Sequence, residues 1–289
     1  MTNVKFGCQL PQDIDDFDHV IQVARECERL GYDSVWVYDH LSPYWSPSGR
    51  ALECWTTLSA VAARTNSVKV GSLVTNVGLR NPSLLAKMSS TMDNISGGRL
   101  ILGLGTGDKM SRRELSSYGY DFPSLTERIE RLRETIFILK AMWTQDETTF
   151  QGKYFKASHA VNLPKPKQRP HPPIWIGGKH DGILDVVAEL ADGWNYWGLS
   201  SEKVQKLSDY LSAKCAKYGR KPENILKSWS GTYSQISRGA KNHSESVKNA
   251  VSQLREQIAA GTEYFIVSYS SRANMESYQA FADSIKSIG

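Results

Sequence analysis

The 289-residue chain reads as an α/β protein, a (β/α)8 TIM barrel with a long insertion after the fourth helix. Three observations predict this. Short β-rich runs alternate with longer helical runs, and strands separated by helices pair in parallel because parallel strands need crossovers. Eight strand–helix pairs in one chain close into a barrel more readily than they spread into an open doubly wound sheet, the competing architecture. A proline-rich stretch over 144–173 breaks the rhythm once, as an insert would. No linker or repeat divides the chain, so 1–289 is expected to be one domain.

The elements follow in order. Residues 4–10 open as a strand. Phe17, Val20, Ile21, Ala24, Cys27 and Leu30 recur at helical steps, and Gly31 stands where a C-cap glycine belongs. Residues 34–38 form the second strand, 53–65 a helix, 68–74 the third strand and 84–95 a helix ending at Gly97-Gly98. The fourth strand is 100–104. A long helix over 125–143 carries a stripe of Ile129, Leu132, Ile136 and Leu139. The insert holds a hairpin around 150–155. Strands at 174–176, Gly193–Trp197, 228–236 and 263–269 then alternate with helices at 183–190, 202–218, 247–259 and 275–288.

Bulk composition excludes several classes. With 40% hydrophobic and 22% charged residues the chain is an ordinary globular protein. It shows neither a bilayer-length apolar run nor a signal peptide, so no membrane partner is expected. The net charge of +5 is dispersed, without the basic stripe that nucleic acid requires. The cysteines, Cys8, Cys27, Cys54 and Cys215, lack paired metal spacing, which points to a reducing cytoplasm and no metal site.

Barrel enzymes act at the C-terminal ends of their strands. Tyr38-Asp39-His40, then Val74-Thr75-Asn76, then Gly103 to Asp108, then Gly177-Gly178-Lys179 follow successive strands. Asp39-His40 pairs a carboxylate with a side chain that titrates near neutrality, although a structural histidine beside a turn cap is the plainer alternative. Gly177-Gly178 ahead of a helix reads as a phosphate cradle or as a simple helix entry. The Gly103–Gly107 run lacks the dinucleotide glycine spacing, and phosphate-loop, zinc-protease and hydrolase-elbow motifs are missing.

At these residues the sequence resembles the bacterial luciferase-like superfamily, and most of all its coenzyme F420-dependent oxidoreductase branch. The resemblance runs from about Gly7 to Asn195. It is carried by Gly31 to His40 (GYDSVWVYDH), Asn81-Pro82 with Leu85 to Met88, Ser96 to Leu100 (SGGRL), Gly103 to Gly107 (GLGTG), Pro172 to Gly178 (PPIWIGG) and Ala191 to Asn195 (ADGWN). It implies hydride transfer between a deazaflavin at the barrel mouth and a small organic substrate. Asp39 would lie beside the ring and His40 at its reacting face. Tyr44 or Trp45 would flank the transferred hydride, and Asp108 would stand where relatives carry a glutamate acid. A non-proline cis peptide at Leu73-Val74 would prop the ring from behind, with Thr75 and Asn76 following. Thr106 and Gly107 would touch the ring or ribityl chain, and Gly177 and Gly178 the phosphate. The resemblance also implies a homodimer. FMN as cofactor, with monooxygenase chemistry, is the alternative; a binding protein without catalysis is another. Substrate selection is expected from 43–50, a loop over 111–122, the 144–173 insert and the late strands.

Overall fold

Residues 4–43, 46, 48–270 and 273–288 are described in a computed structural model. Strand β1 (Lys5–Gln9) leads to α1 (Phe17–Leu30), β2 (Ser34–Val37), α2 (Cys54–Arg64), β3 (Lys69–Ser72), β4 (Thr75–Asn76) and α3 (Pro82–Ile95). There follow β5 (Leu100–Gly105), α4 (Lys109–Ser117), α5 (Leu125–Thr144), the hairpin β6 (Thr148–Gln151) and β7 (Lys156–Ala160), β8 (Ile174–Gly177) and α6 (Asp181–Leu190). The chain continues through β9 (Gly193–Trp197), α7 (Ser201–Lys217), β10 (Leu226–Thr232), α8 (Tyr233–Ile236), α9 (His243–Ala259), β11 (Tyr264–Ser268) and α10 (Met275–Lys286).

The sheet runs β3-β2-β1-β11-β10-β9-β8-β5, all parallel, and β3 pairs with β5 to close it. It is an eight-stranded TIM barrel. Strand alternation sends one set of side chains into the lumen and the other toward the helices. Trp36 and Trp175 fill the lumen with ring centroids 5.1 Å apart, and Tyr264 meets Trp175 edge-on at 5.0 Å. Glycine at 7, 71 and 193 makes room for these indoles, since a Cβ at any of the three would stand within 2.6 Å of a tryptophan or Ser34 side-chain atom. The lumen is thereby plugged below its mouth.

Three expectations change. The third strand breaks into β3 and β4 at a cis Leu73-Val74 peptide, the non-proline cis bond expected there. The strand expected over 228–236 ends at Thr232, where a capping box of Thr232 and Gln235 starts α8. The loop expected over 111–122 holds most of α4, a helix whose only buried residues are Ser111 and Leu115. So short an apolar face gives no periodic signal.

The 144–173 stretch connects a helix to a strand, so it belongs to the foot of the barrel. Gln168 Nε2 donates to Leu100 O at the first residue of β5 and to Asp93. Asn162 Nδ2 donates to Ser90 Oγ and Met142 O. Only the hairpin tip climbs along α5, where Glu134 accepts the N–H groups of Lys153, Tyr154 and Phe155. Most of the insert therefore lies away from the strand ends where it was expected to select substrate.

Candidate active site at the barrel mouth

The end of β2 is tied down before any functional side chain is placed. Buried Gln12 donates to Tyr38 O at 3.0 Å and Leu52 O at 3.1 Å and accepts from Tyr38 N. This orients Asp39 and His40. Asp39 is buried and accepts a two-pronged ion pair from Arg80, with 2.5 and 3.0 Å contacts. The same Oδ2 takes the Asn76 N–H at 2.9 Å. Arg80 also holds Glu53 at 2.7 Å, the N-cap of α2. Burial pushes the Asp39 carboxyl above its usual range, while Arg80 and the Asn76 amide pull it back. Asp39 thus joins β2 to β4 just beyond the cis peptide.

Val74 lies against three glycines. A Cβ on Gly105 would stand 2.5 Å from Val74 Cγ2, on Gly177 3.1 Å from the same atom, and on Gly103 3.0 Å from Val74 Cγ1. Strands β5 and β8 carry these glycines side by side, because Leu104 pairs with Ile176. Gly105 and Gly177 thus give clearance to Val74, whereas a Cβ on Gly103 would first meet Ser72 O, at 2.0 Å. The Gly178 N–H is given to Asn195 O at 3.0 Å, and its carbonyl accepts Trp194 Nε1 at 2.7 Å. Gly178 keeps φ at +134°, a backbone that favours glycine. Leu73 packs toward the tryptophan plug, and Thr75 Oγ1 donates to Ser72 Oγ at 2.8 Å.

His40 meets a partner that sequence reasoning missed. Its Nδ1 lies 2.8 Å from Glu114 Oε2, on α4. Glu114 Oε1 accepts the N–H groups of Leu41 and Ser42. Burial lowers the His40 pKa, but the Glu114 carboxylate, with Asp108 and Asp39, outweighs it and leaves the imidazole above its usual value. Asp108, expected as a proton donor, is exposed and caps α4: its Oδ1 accepts from Met110 N, Ser111 N and Ser111 Oγ. That oxygen is committed as an acceptor. Tyr44 and Trp45 lie outside the described residues.

A cleft of about 240 Å³ opens beside Asn76 and Thr106 and ends at Arg128 and Arg131 of α5, walled by Tyr120, Phe122 and Pro123. Thr106 is buried against it, and Gly107, next in the chain, has φ at +70°. Arg128 stacks over Phe122 at 3.7 Å, with Arg112 on the same ring at 5.4 Å. Its Nε is buried without a hydrogen-bond partner among the described residues. Arg131 is already paired with Glu127. Arg128 brings a positive charge to the wall of the cleft. Among the described residues no group of three His, Cys, Asp or Glu side chains could hold a metal ion, and no helix is long and apolar enough to cross a membrane.

Residues 1–287 match the family model described as luciferase-like monooxygenase. Among curated relatives, an F420-dependent glucose-6-phosphate dehydrogenase of Kineococcus radiotolerans is 33% identical over 59% of this chain and 50% of its own length. One of Microbacterium testaceum is 32% identical over 77% of this chain and 66% of its own. The chain therefore spans between half and two thirds of those relatives. Among solved structures, an F420-dependent secondary alcohol dehydrogenase in complex with an F420-acetone adduct superposes with a TM-score of 0.87 at 16% identity, covering 99% of both chains. The coenzyme F420-dependent tetrahydromethanopterin reductase of Methanopyrus kandleri gives 0.83 at 18% identity, over 99% of this chain and 100% of the other. A long-chain alkane monooxygenase gives 0.77 at 14% identity, over 99% and 90%. At such identities these likenesses show the fold.

Proposed function

We propose that this chain, which belongs to the luciferase-like monooxygenase family, is an oxidoreductase that uses coenzyme F420 to pass a hydride to or from a small organic substrate. The observation that carries the reading is the cleft lined by Asn76, Thr106 and Arg128. It fits a cofactor with a ring at the barrel mouth and an anionic tail. The names of the curated relatives support F420 over other such cofactors.

Coenzyme F420, when bound, supplies a deazaflavin ring that accepts or gives two electrons as a hydride. The chain supplies the rest. Asp39, Leu73, Val74, Thr75 and Asn76 would hold the ring side of the site, with Val74 as a rigid shoulder seated on Gly103, Gly105 and Gly177. Thr106 and Gly107 would line the passage to the tail, and Arg128 would pair with its negative charge. His40, held by Glu114, would present a proton or positive charge where charge develops on a substrate oxygen. Asp108 would act through its charge near His40 and through the helix it caps. Tyr44 and Trp45 stay in this reading as flanks of the hydride path. FMN with monooxygenase chemistry is the second reading, favoured by the activity for which the family is described, since FMN also joins a flat ring to an anionic tail.

A reducing cytoplasm and a homodimer complete the proposal. The four cysteines are buried free thiols, and Leu84 and Ile95 of α3 are exposed apolar side chains that a second copy would cover.

Quenching of tryptophan fluorescence on titration with F420 and, separately, with FMN tests the reading. Tight F420 binding that weakens in Arg128→Gln supports it. Tight FMN binding with none for F420 moves the protein to the flavin reading, and binding of neither defeats both.

A further inference from the structure

We propose that Glu114 is the positioning residue of the site: it fixes the His40 ring, keeps its Nδ1 proton in place and clamps the backbone that leads into Tyr44 and Trp45. The proposal deepens the hydride-transfer reading and, for its effect on turnover, rests on it.

The geometry is specific. One carboxylate spans three consecutive residues, with Oε2 on His40 Nδ1 at 2.8 Å and Oε1 on the N–H groups of Leu41 and Ser42. The Glu114 side chain is only 9% exposed, against 26% for His40. Tyr118, at the end of the same helix, reaches Leu41 O with its hydroxyl at 3.4 Å. Helix α4 thus holds both polar groups of the Leu41 backbone. It is placed by its own cap, Asp108, just after β5, so the ends of β5 and β2 are coupled through a single helix. A carboxylate bound by two backbone N–H groups and an imidazole favours its ionised form, and Glu114 lies below its usual pKa although burial opposes this.

An anionic Glu114 at Nδ1 makes Nδ1 a donor, so any proton exchanged by this imidazole passes through Nε2. Among the described residues, the charged groups that face His40 include Glu114 from α4, Asp108 at its N-cap, Asp39 beside it and Asp13 beyond β1. All four are acidic, and Glu114 is in direct contact. Tyr38 lies tilted against the imidazole, with 5.7 Å between ring centroids. Removing the Glu114 charge therefore lowers the pH at which His40 loses its proton.

The test compares the full chain with Glu114→Gln, which keeps size and hydrogen-bonding capacity, and with Glu114→Asp, which keeps charge. Imidazole NMR of His40, assigned through His40→Gln, needs no cofactor. Its titration midpoint is expected to fall in Glu114→Gln and to recover in Glu114→Asp. In turnover, kcat above neutral pH is expected to drop about tenfold in Glu114→Gln, with KM changed less than about twofold and the alkaline limb of the profile moved to lower pH. An unmoved His40 midpoint overturns the proposal, as does an equal loss in both variants at every pH, which would mark plain structural damage. If F420 does not bind while the midpoint still falls, the functional reading fails and the positioning of His40 stands. A Glu114→Gln chain that does not fold leaves Glu114→Ala to decide: its His40 midpoint is likewise expected to fall, and an unmoved midpoint there would refute the contact.

Discussion

Placing a methyl group at residue 105 tests whether the mouth is built around Val74. A Cβ on Gly105 would lie 2.5 Å from Val74 Cγ2. Carbon atoms rest about 3.5–4.0 Å apart, so the Val74 side chain or β5 must give way by about 1 Å. Overpacking of this kind costs about 1–3 kcal/mol. At about 2–4 °C per kcal/mol, Gly105→Ala should lower the melting temperature by several degrees. The clash depends on Val74, because the next nearest atom, Val74 Cβ, is 3.8 Å away. Val74→Ala in the same chain should therefore restore most of the loss, a coupling that a double-mutant cycle measures directly. Gly103→Ala is the internal control. Its Cβ would stand 2.0 Å from Ser72 O, a backbone atom that Val74→Ala cannot move, so that variant should be damaged more and not be rescued. Gly177→Ala, at 3.1 Å, should be mildest. If scanning fluorimetry shows Gly105→Ala as stable as the parent, or shows Val74→Ala rescuing Gly103→Ala equally well, the Val74 shoulder is not what these glycines serve.

Arg80→Met should cost about 3–5 kcal/mol by leaving the buried Asp39 carboxylate unpaired. Because burial then raises the Asp39 pKa against the Asn76 amide alone, the loss should grow as pH rises and shrink in acid, which urea melts at two pH values would show. Glu28 is held down to about 2: burial opposes this, but Oε1 accepts the N–H groups of Asn66, Ser67 and Val68 and the Ser67 hydroxyl. A depressed carboxyl contributes stability above its unfolded value, about 4.3, and loses it as pH falls toward 2. Glu28→Gln should thus cost about 1–3 kcal/mol at pH 7 and converge with the parent in acid melts. Arg128→Gln should weaken F420 binding about tenfold at low salt and flatten its salt dependence in fluorescence titrations, since the lost contact is charged.

The alternation of strands and helices was legible because it is local. Apolar periodicity within each segment decides helix or strand, and helical crossovers oblige the strands to run parallel. Placement of Asp39, His40, Asn76, Thr106 and Gly107 at strand ends followed from that count alone, since barrel chemistry gathers at those ends. The cis peptide at Leu73-Val74 came from resemblance, and no periodicity could have shown it. Pairing across the chain was beyond sequence reasoning. Glu114 reaches His40 over 74 positions, and Arg80 reaches Asp39 over 41. Glu114 also sits on α4, a helix too polar to announce itself. The glycine runs were visible, but their purpose was not. Gly105 and Gly177 come from two strands and both face one valine on a third segment, a contact made only when the barrel closes. The insert was likewise visible as a break in rhythm, and only closure of the barrel set most of it at the foot, because a helix-to-strand connection must return to where the strands begin. The sequence by itself determined the element types and the end of the barrel where chemistry gathers. The tertiary structure decided which charges meet there, because burial and opposition of side chains exist only once distant strands are joined.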